Sequence, residues 1–127
     1  MANILCIDDE PHVANLRCMA LEAGGHRATP AWTMTDVMHL LRGYRFEVVV
    51  VGMQAGATGP VICREAKAAA GPPFVIVTGY RQDEESSGES CADLHFEKVV
   101  DPESLVTIIN ALLRGEGPKL ACGRSVS

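Results

Sequence analysis

The sequence has no apolar run long enough to cross a membrane, and its N-terminus carries no basic segment followed by an apolar one. A membrane-spanning helix needs about 18 or more consecutive apolar residues, and a secretory leader places positive charge before a shorter apolar stretch. Both features are missing. We therefore expect a cytoplasmic protein that does not associate with a membrane.

Clusters of basic residues are also missing. The chain has 11 lysines and arginines against 16 aspartates and glutamates, a formal charge of −5, and the basic residues are scattered. A nucleic-acid-binding surface needs a basic patch or stripe. No nucleic-acid partner is expected, and no DNA-binding segment is visible after the domain, so we expect any output to pass through another protein.

The five cysteines include no CxxC pair, are odd in number and are widely spaced. Zinc sites and disulfide frameworks use closely spaced or even-numbered cysteines, so neither is expected. Cys6, Cys18 and Cys63 fall at apolar-periodic positions. They are predicted to be small residues of the core.

Strands and helices alternate along the chain. Short apolar runs predict strands over 4–7, 26–32, 46–51, 74–77 and 93–99, and helical spacing predicts helices over 11–23, 33–42, 61–70 and from 102 onward. The stretch 80–91 is polar with no apolar stripe, and predicts a loop or a poor helix. We interpret 1–115 as one domain and 116–127 as a flexible C-terminal tail.

This alternation predicts an α/β protein with a flavodoxin-like, doubly wound sheet. Five parallel strands in the order 2-1-3-4-5 would carry helices on both faces. The first helix, opened by Pro11 and closed by Gly24-Gly25, is predicted to bury a stripe of four apolar residues: Val13, Leu16, Ala20 and Ala23.

Polar side chains are predicted at the carboxyl edge of this sheet, where ligands bind in open α/β folds. Asp8 and Asp9 follow the first strand, Thr78 ends the fourth, and Lys98 lies near the end of the fifth. Each has an ordinary structural explanation: helix capping for the aspartates, solvation for the lysine, a strand end for the threonine. Their meeting at one edge is more specific than any single residue.

Four motifs resemble those of the response-regulator receiver domain of two-component signalling. They are Ile-Asp-Asp-Glu at 7–10, Val-Ile-Val-Thr at 75–78, Phe-Glu-Lys at 96–98 and Asp-Pro-Glu-Ser-Leu at 101–105. The resemblance covers about residues 2–115. It implies the same fold and a role in phosphorelay signal transduction.

The resemblance also implies roles for individual residues. Asp8 and Asp9 match the acidic pair that binds Mg²⁺ in the family. Thr78 matches the switch hydroxyl and Lys98 the lysine that contacts a phosphoryl group on an aspartate at the end of the third strand. His95 falls at the aromatic switch position, although a partly exposed histidine of an edge strand explains it equally well.

The sequence departs from the family at the phosphoacceptor position, which is Gly52. No aspartate occurs between Asp36 and Asp83, so no shift of the alignment supplies one. The following loop is one residue shorter than usual, and Val99 stands where the family has proline. Glycine offers neither a nucleophilic oxygen nor a metal ligand.

The altered site predicts no catalytic residue, no cofactor and at most a weak Mg²⁺ site at Asp8 and Asp9. Lys98 is then expected to lie near one of these two carboxylates without a metal between them. The pocket reads as a structural remnant of the family's site, or as one repurposed for a partner.

We interpret the chain as a non-enzymatic, receiver-like module that acts by phosphorylation-independent protein–protein interaction. Its partner would be another signalling protein: a histidine kinase, a regulator or an output protein. Two alternatives stay open, a flavodoxin-like domain for a small ligand or nucleotide, and a phosphoacceptor regulator with an altered site. An acidic first strand–helix turn disfavours phosphate binding there. The sequence leaves open the partner, the oligomeric state and whether the missing aspartate is natural or engineered.

Overall fold

The structure is a computed structural model that describes residues 2–52, 58–69, 71–78, 92–96 and 100–115. Four predictions concern residues outside these ranges. They are the flexible tail over 116–127, the shortened loop after Gly52, the irregular segment over 80–91, and the positions of Lys98 and Val99.

Five parallel strands form one sheet with the order β2-β1-β3-β4-β5. Their bounds are β1 Asn3–Ile7, β2 Arg27–Ala31, β3 Val48–Gly52, β4 Phe74–Thr78 and β5 Leu94–Phe96. The central strands β1 and β3 are buried on both faces, which is why their sequences are continuous apolar runs rather than alternating ones. The predicted sheet and its strand order are confirmed.

The described helices are α1 Pro11–Ala23, α2 Met34–Gly43, α3 Thr58–Lys67 and α4 Pro102–Leu113. Two begin with a side-chain cap: Thr33 accepts a hydrogen bond from the Asp36 N–H, and Asp101 accepts one from the Ser104 N–H. Such caps satisfy N–H groups that the first helical turn leaves unpaired. In the described part of the chain, every helix is too short or too polar to cross a membrane.

The two faces of the sheet bury separate apolar clusters. On one face α1 and α4 cover alternate residues of the central strands, including Ile4, Cys6 and Val48. On the other face α2 and α3 cover the intervening residues, such as Leu5 and Val49. Because successive strand residues point to opposite faces, two layers of helices are needed to cover the sheet.

The buried face of α1 differs from the predicted one. Its buried residues are Ala14, Arg17, Cys18 and Leu21, whereas Leu16, a predicted core residue, is 51% exposed. The helix itself was predicted with the right bounds, but its stripe was assigned to a neighbouring row of residues. The buried row was not predicted because it includes an arginine, and charged residues are rarely buried unless they are paired.

The cysteines confirm one prediction and correct another. Cys6, Cys18 and Cys63 are all buried in the two apolar clusters, as predicted. Cys6 and Cys18 are free thiols, and a hydrogen bond between them, together with burial, raises the pKa of Cys6. Cys63 is disulfide-bonded. The prediction of no disulfide framework, which depended on cysteine spacing alone, did not foresee this disulfide.

Candidate functional site

The carboxyl edge of the sheet brings together three of the predicted residues. Asp8 directly follows β1, Gly52 is the last residue of β3 and Thr78 is the last residue of β4. The register pairs Ile7 with Val51 and Gly52 with Thr78. Gly52 thus lies between the ends of the two neighbouring strands, beside Asp8.

Asp8 is fully buried, and both of its carboxylate oxygens accept hydrogen bonds from the chain. Oδ1 accepts the Glu10 N–H at 2.9 Å. Oδ2 accepts a hydrogen bond from Nη1 of Arg17 at 3.0 Å. The buried carboxylate is therefore satisfied from within its own β1–α1 unit.

Arg17 is a residue of the candidate site that the sequence did not predict. It lies in the second turn of α1 and is only 2% exposed, so the ion pair with Asp8 is buried at both ends. Isolated buried charges are very costly, and pairing is what makes burial possible. A signal was present in the sequence: 14, 17, 18 and 21 follow the spacing of a buried helical stripe, with an arginine as one member.

The absence of a side chain at Gly52 is what accommodates this pair. A Cβ atom at position 52 would lie 2.1 Å from Oδ2 of Asp8 and 3.1 Å from Nη1 of Arg17. The first distance is far below van der Waals contact. The ion pair thus occupies the space in which any side chain of residue 52 would begin.

Thr78 and His95 lie further along the same edge. Thr78 is fully buried, and its hydroxyl oxygen accepts a hydrogen bond from the Val100 N–H at 2.8 Å. His95 is a half-buried residue of β5, paired with Val77 in the sheet. Thr78 therefore connects the end of β4 to the segment that leads into α4.

Asp9 faces solvent beside the buried pair. Desolvation of its carboxyl group raises its pKa. A hydrogen bond with the Asp8 carboxyl and the negative charge of Asp8 raise it further. The two neighbouring carboxyl groups thus differ in their environment. The Asp8 carboxylate is paired with the Arg17 guanidinium, whereas the ionised form of Asp9 is disfavoured by the negative charge of Asp8.

The resemblance to receiver domains implies a Mg²⁺ ion at this edge, and the described residues do not fit one. Mg²⁺ requires near-octahedral oxygen ligands, typically one or two carboxylates with waters and phosphate oxygens. Asp8 already uses both oxygens, one of them for a cation, and Gly52 supplies no side-chain ligand. Among the described residues, no group of three or more histidine, cysteine or acidic side chains is arranged to hold a metal ion.

A pocket of about 100 Å³ opens beside the pair. Its walls combine the strand ends with apolar residues of α2 and α3, and Trp32 and Thr33 line it as well. Typical small-molecule sites enclose about 300–1,000 Å³. This pocket is too small to enclose a nucleotide.

No family model matches the sequence, but curated relatives do. The chain is 29% identical over 114 residues to the DNA-binding response regulator MtrA of Mycolicibacterium smegmatis, covering 87% of this chain and 50% of MtrA. It is 28% identical over 121 residues to PilH of Pseudomonas aeruginosa, covering 91% of this chain and all of PilH. For PetR of Rhodobacter capsulatus the identity is 26% over 115 residues, with 88% and 48% covered. The chain thus spans about half the length of PetR and MtrA.

Solved structures with the same fold include two response regulators. DrrB of Thermotoga maritima is 25% identical with a TM-score of 0.73, covering 91% of this chain and 54% of DrrB. An atypical orphan response regulator, described as having a phosphorylation-independent regulatory mechanism, is 19% identical with a TM-score of 0.71, covering 88% of this chain and 95% of that one. The chain is therefore similar in sequence to response regulators, and its described residues form the fold of their receiver domain.

Proposed function

We propose that this chain is a receiver-like module of two-component signal transduction that acts without aspartyl phosphorylation. It would bind another signalling protein, such as a histidine kinase, a regulator or an output protein, and would catalyse no reaction of its own. We place it in the cytoplasm, where such partners meet.

The observation that carries this proposal is the position of Gly52. It ends β3, it is paired with Thr78, and the Asp8 carboxylate fills the space where its side chain would start. Phosphoryl transfer to a carboxylate needs an attacking oxygen at this position and a cation beside it. Glycine supplies no such oxygen, and the arginine beside it is already paired with Asp8.

A precedent supports the proposal. The atypical orphan response regulator with the same fold is described as revealing a phosphorylation-independent regulatory mechanism. Another structural neighbour, 21% identical with a TM-score of 0.62, is the pseudo-receiver domain of the CikA protein. At least one protein with this fold is thus described as regulated without phosphorylation.

The ligand-binding alternative has less support. The pocket at the carboxyl edge has a volume of about 100 Å³, and the residues that line it include the two carboxylates of Asp8 and Asp9. Phosphate sites use glycine-rich turns and helix N-termini with exposed N–H donors. The alternative of an altered phosphoacceptor would need a nucleophile other than residue 52.

Mass spectrometry of the intact chain after incubation with a small phosphodonor and Mg²⁺ tests the first half of the proposal. We expect no phosphoryl adduct, with a receiver domain that retains its acceptor aspartate as the positive control. An adduct on the native chain would refute phosphorylation independence and would favour the altered phosphoacceptor.

Binding measurements test the second half. Immobilised native chain and its Gly52→Asp variant would be presented with candidate histidine-kinase and output domains, each with and without phosphodonor and Mg²⁺. We expect the native chain to bind one of them with an affinity that the phosphodonor leaves unchanged. Gly52→Asp should not gain switching, because its side chain would meet the Asp8–Arg17 pair. Phosphodonor-dependent binding by the native chain would overturn the proposal.

A further inference from the structure

The buried arginine of α1 contacts Asp8, one of the two acidic residues to which the resemblance to receiver domains assigns Mg²⁺ binding. Arg17 is 2% exposed, Asp8 is fully buried, and their charged atoms are 3.0 Å apart. A receiver domain brings a divalent cation to these carboxylates from solvent. Here a cation is already present as part of the chain.

We propose that the guanidinium of Arg17 takes the place of the divalent cation, and that Gly52 is the substitution that makes room for it. The guanidinium is a covalent part of the chain, so this cation does not dissociate from the site. A metal ion would instead exchange with solvent. The Asp8 carboxylate is then compensated whatever the Mg²⁺ concentration, and the site excludes divalent metals.

Position 52 has no space for a side chain while the Asp8–Arg17 ion pair is in place. Oδ2 of Asp8 and Nη1 of Arg17 lie 2.1 Å and 3.1 Å from the position of a Cβ on residue 52. A side chain there would push the carboxylate away from the guanidinium. The absent acceptor and the buried arginine are thus two parts of one rearrangement. This inference concerns the cation alone, and it stands whether or not the partner proposed above exists.

Calorimetry with Mg²⁺, and electron paramagnetic resonance with Mn²⁺ as a probe, test the metal exclusion. We expect the full native chain to show no saturable binding at millimolar metal. Arg17→Met, which returns an unpaired carboxylate to the site, should show saturable binding at millimolar metal, because divalent affinity rises with available carboxylate charge. The matched control is Arg42→Met, which removes an exposed ion pair with Glu65 and should bind no better than the native chain.

Two outcomes of the metal experiment would overturn the proposal. One is micromolar Mg²⁺ affinity in the native chain. The other is an Arg17→Met variant that is folded by circular dichroism and yet gains no metal affinity over Arg42→Met.

A double-mutant cycle tests the role of Gly52 without leaving a buried charge unpaired. Gly52→Ala is measured in the native background and in the Arg17→Met/Asp8→Asn background, where both charges are gone and the shorter Met and neutral amide can rearrange. We expect Gly52→Ala to lower the unfolding midpoint strongly in the first and clearly less in the second. Equal losses in the two backgrounds would show that glycine does not make room for the ion pair.

Failure of this inference can be told apart from failure of the proposed function. A native chain that binds Mg²⁺ tightly but takes no phosphoryl group would refute the internal cation and leave the phosphorylation-independent role intact. A phosphorylated native chain would refute that role, whatever the cycle shows.

Discussion

Nη1 of Arg17 reaches back nine residues along the chain to donate to Oδ2 of Asp8 at 3.0 Å, and both side chains are withdrawn from solvent. The pair connects the end of β1 to the middle of α1. Its two charges depend on each other, because either one alone would be a buried, uncompensated ion.

Arg17→Met should therefore destabilise the domain by about 3–5 kcal/mol, the usual cost of breaking a buried ion pair by removing one partner. Urea unfolding near neutral pH, followed by circular dichroism, measures this loss. The pair Arg42–Glu65, exposed at the surface, gives the matched control. Arg42→Met should leave the unfolding midpoint unchanged.

The double variant Arg17→Met/Asp8→Asn should recover most of the lost stability. Replacing both members of a buried ion pair is often neutral, since no charge then remains to be desolvated. A double variant as unstable as Arg17→Met alone would show that the arginine matters through packing rather than charge.

Gly52→Ala should cost about 1–3 kcal/mol, the range for inserting an extra group into a packed site. Its Cβ would lie 2.1 Å from Oδ2 of Asp8, so the buried carboxylate must move. Gly43→Ala is the control, because a Cβ there meets no atom within 4 Å. That change should be neutral or slightly stabilising, and a similar loss at both positions would contradict the steric account.

Asp9→Asn should stabilise the domain at neutral pH. The pKa of Asp9 is raised in the folded state by partial burial and by the neighbouring Asp8. Ionised Asp9 therefore lowers the stability of the folded state. This loss is complete at a pH above the folded pKa and disappears at a pH below the unfolded pKa of about 3.9. We expect a gain of less than about 1 kcal/mol, because the exposed carboxyl group is screened by solvent.

Thermal unfolding of the native chain and of Asp9→Asn from pH 7 downward measures this difference. The two curves should converge as the pH falls through the folded pKa of Asp9. A variant that is less stable than the native chain at neutral pH would mean that the Asp9 carboxylate is stabilised by a cation.

Asp101→Asn should have the opposite pH dependence. Hydrogen bonds from the hydroxyl and the N–H of Ser104 lower the pKa of Asp101 in the folded state. The resulting stabilisation is present above the unfolded pKa and is lost as the pH falls through the folded one. Asparagine can still cap α4 but carries no charge. The variant should thus be less stable at neutral pH and approach the native chain in acid, again by thermal unfolding.

Much of this fold follows from the sequence because its signals are local. Apolar runs bounded by glycine, proline or acidic residues mark the strands, and Pro11 and Asp101 mark the starts of two helices. The predicted bounds of α1 agree with the structure, whereas α3 begins at Thr58 rather than at 61. Helix ends are weakly specified by local sequence, since fraying and neighbouring contacts shift them by a few residues.

The residues of the candidate site were predicted by the same logic. A strand that ends in two aspartates and another that ends in threonine must meet at one edge once the sheet is parallel, and Asp8, Gly52 and Thr78 do. The interpretation of Gly52 as a position without its acceptor aspartate comes from the resemblance to receiver domains and stays a prediction. The role of each residue in signalling stays a prediction.

Only the tertiary structure decided what compensates Asp8. The sequence alone assigned the buried stripe of α1 to apolar residues such as Leu16, and the structure buries the row that contains Arg17 instead. An arginine can lie on a buried row only if a carboxylate meets it there, and that meeting depends on how the helix rotates against the sheet. The sequence shows that Asp8 and Arg17 are present. The 3.0 Å contact that makes their burial possible exists only in the folded chain.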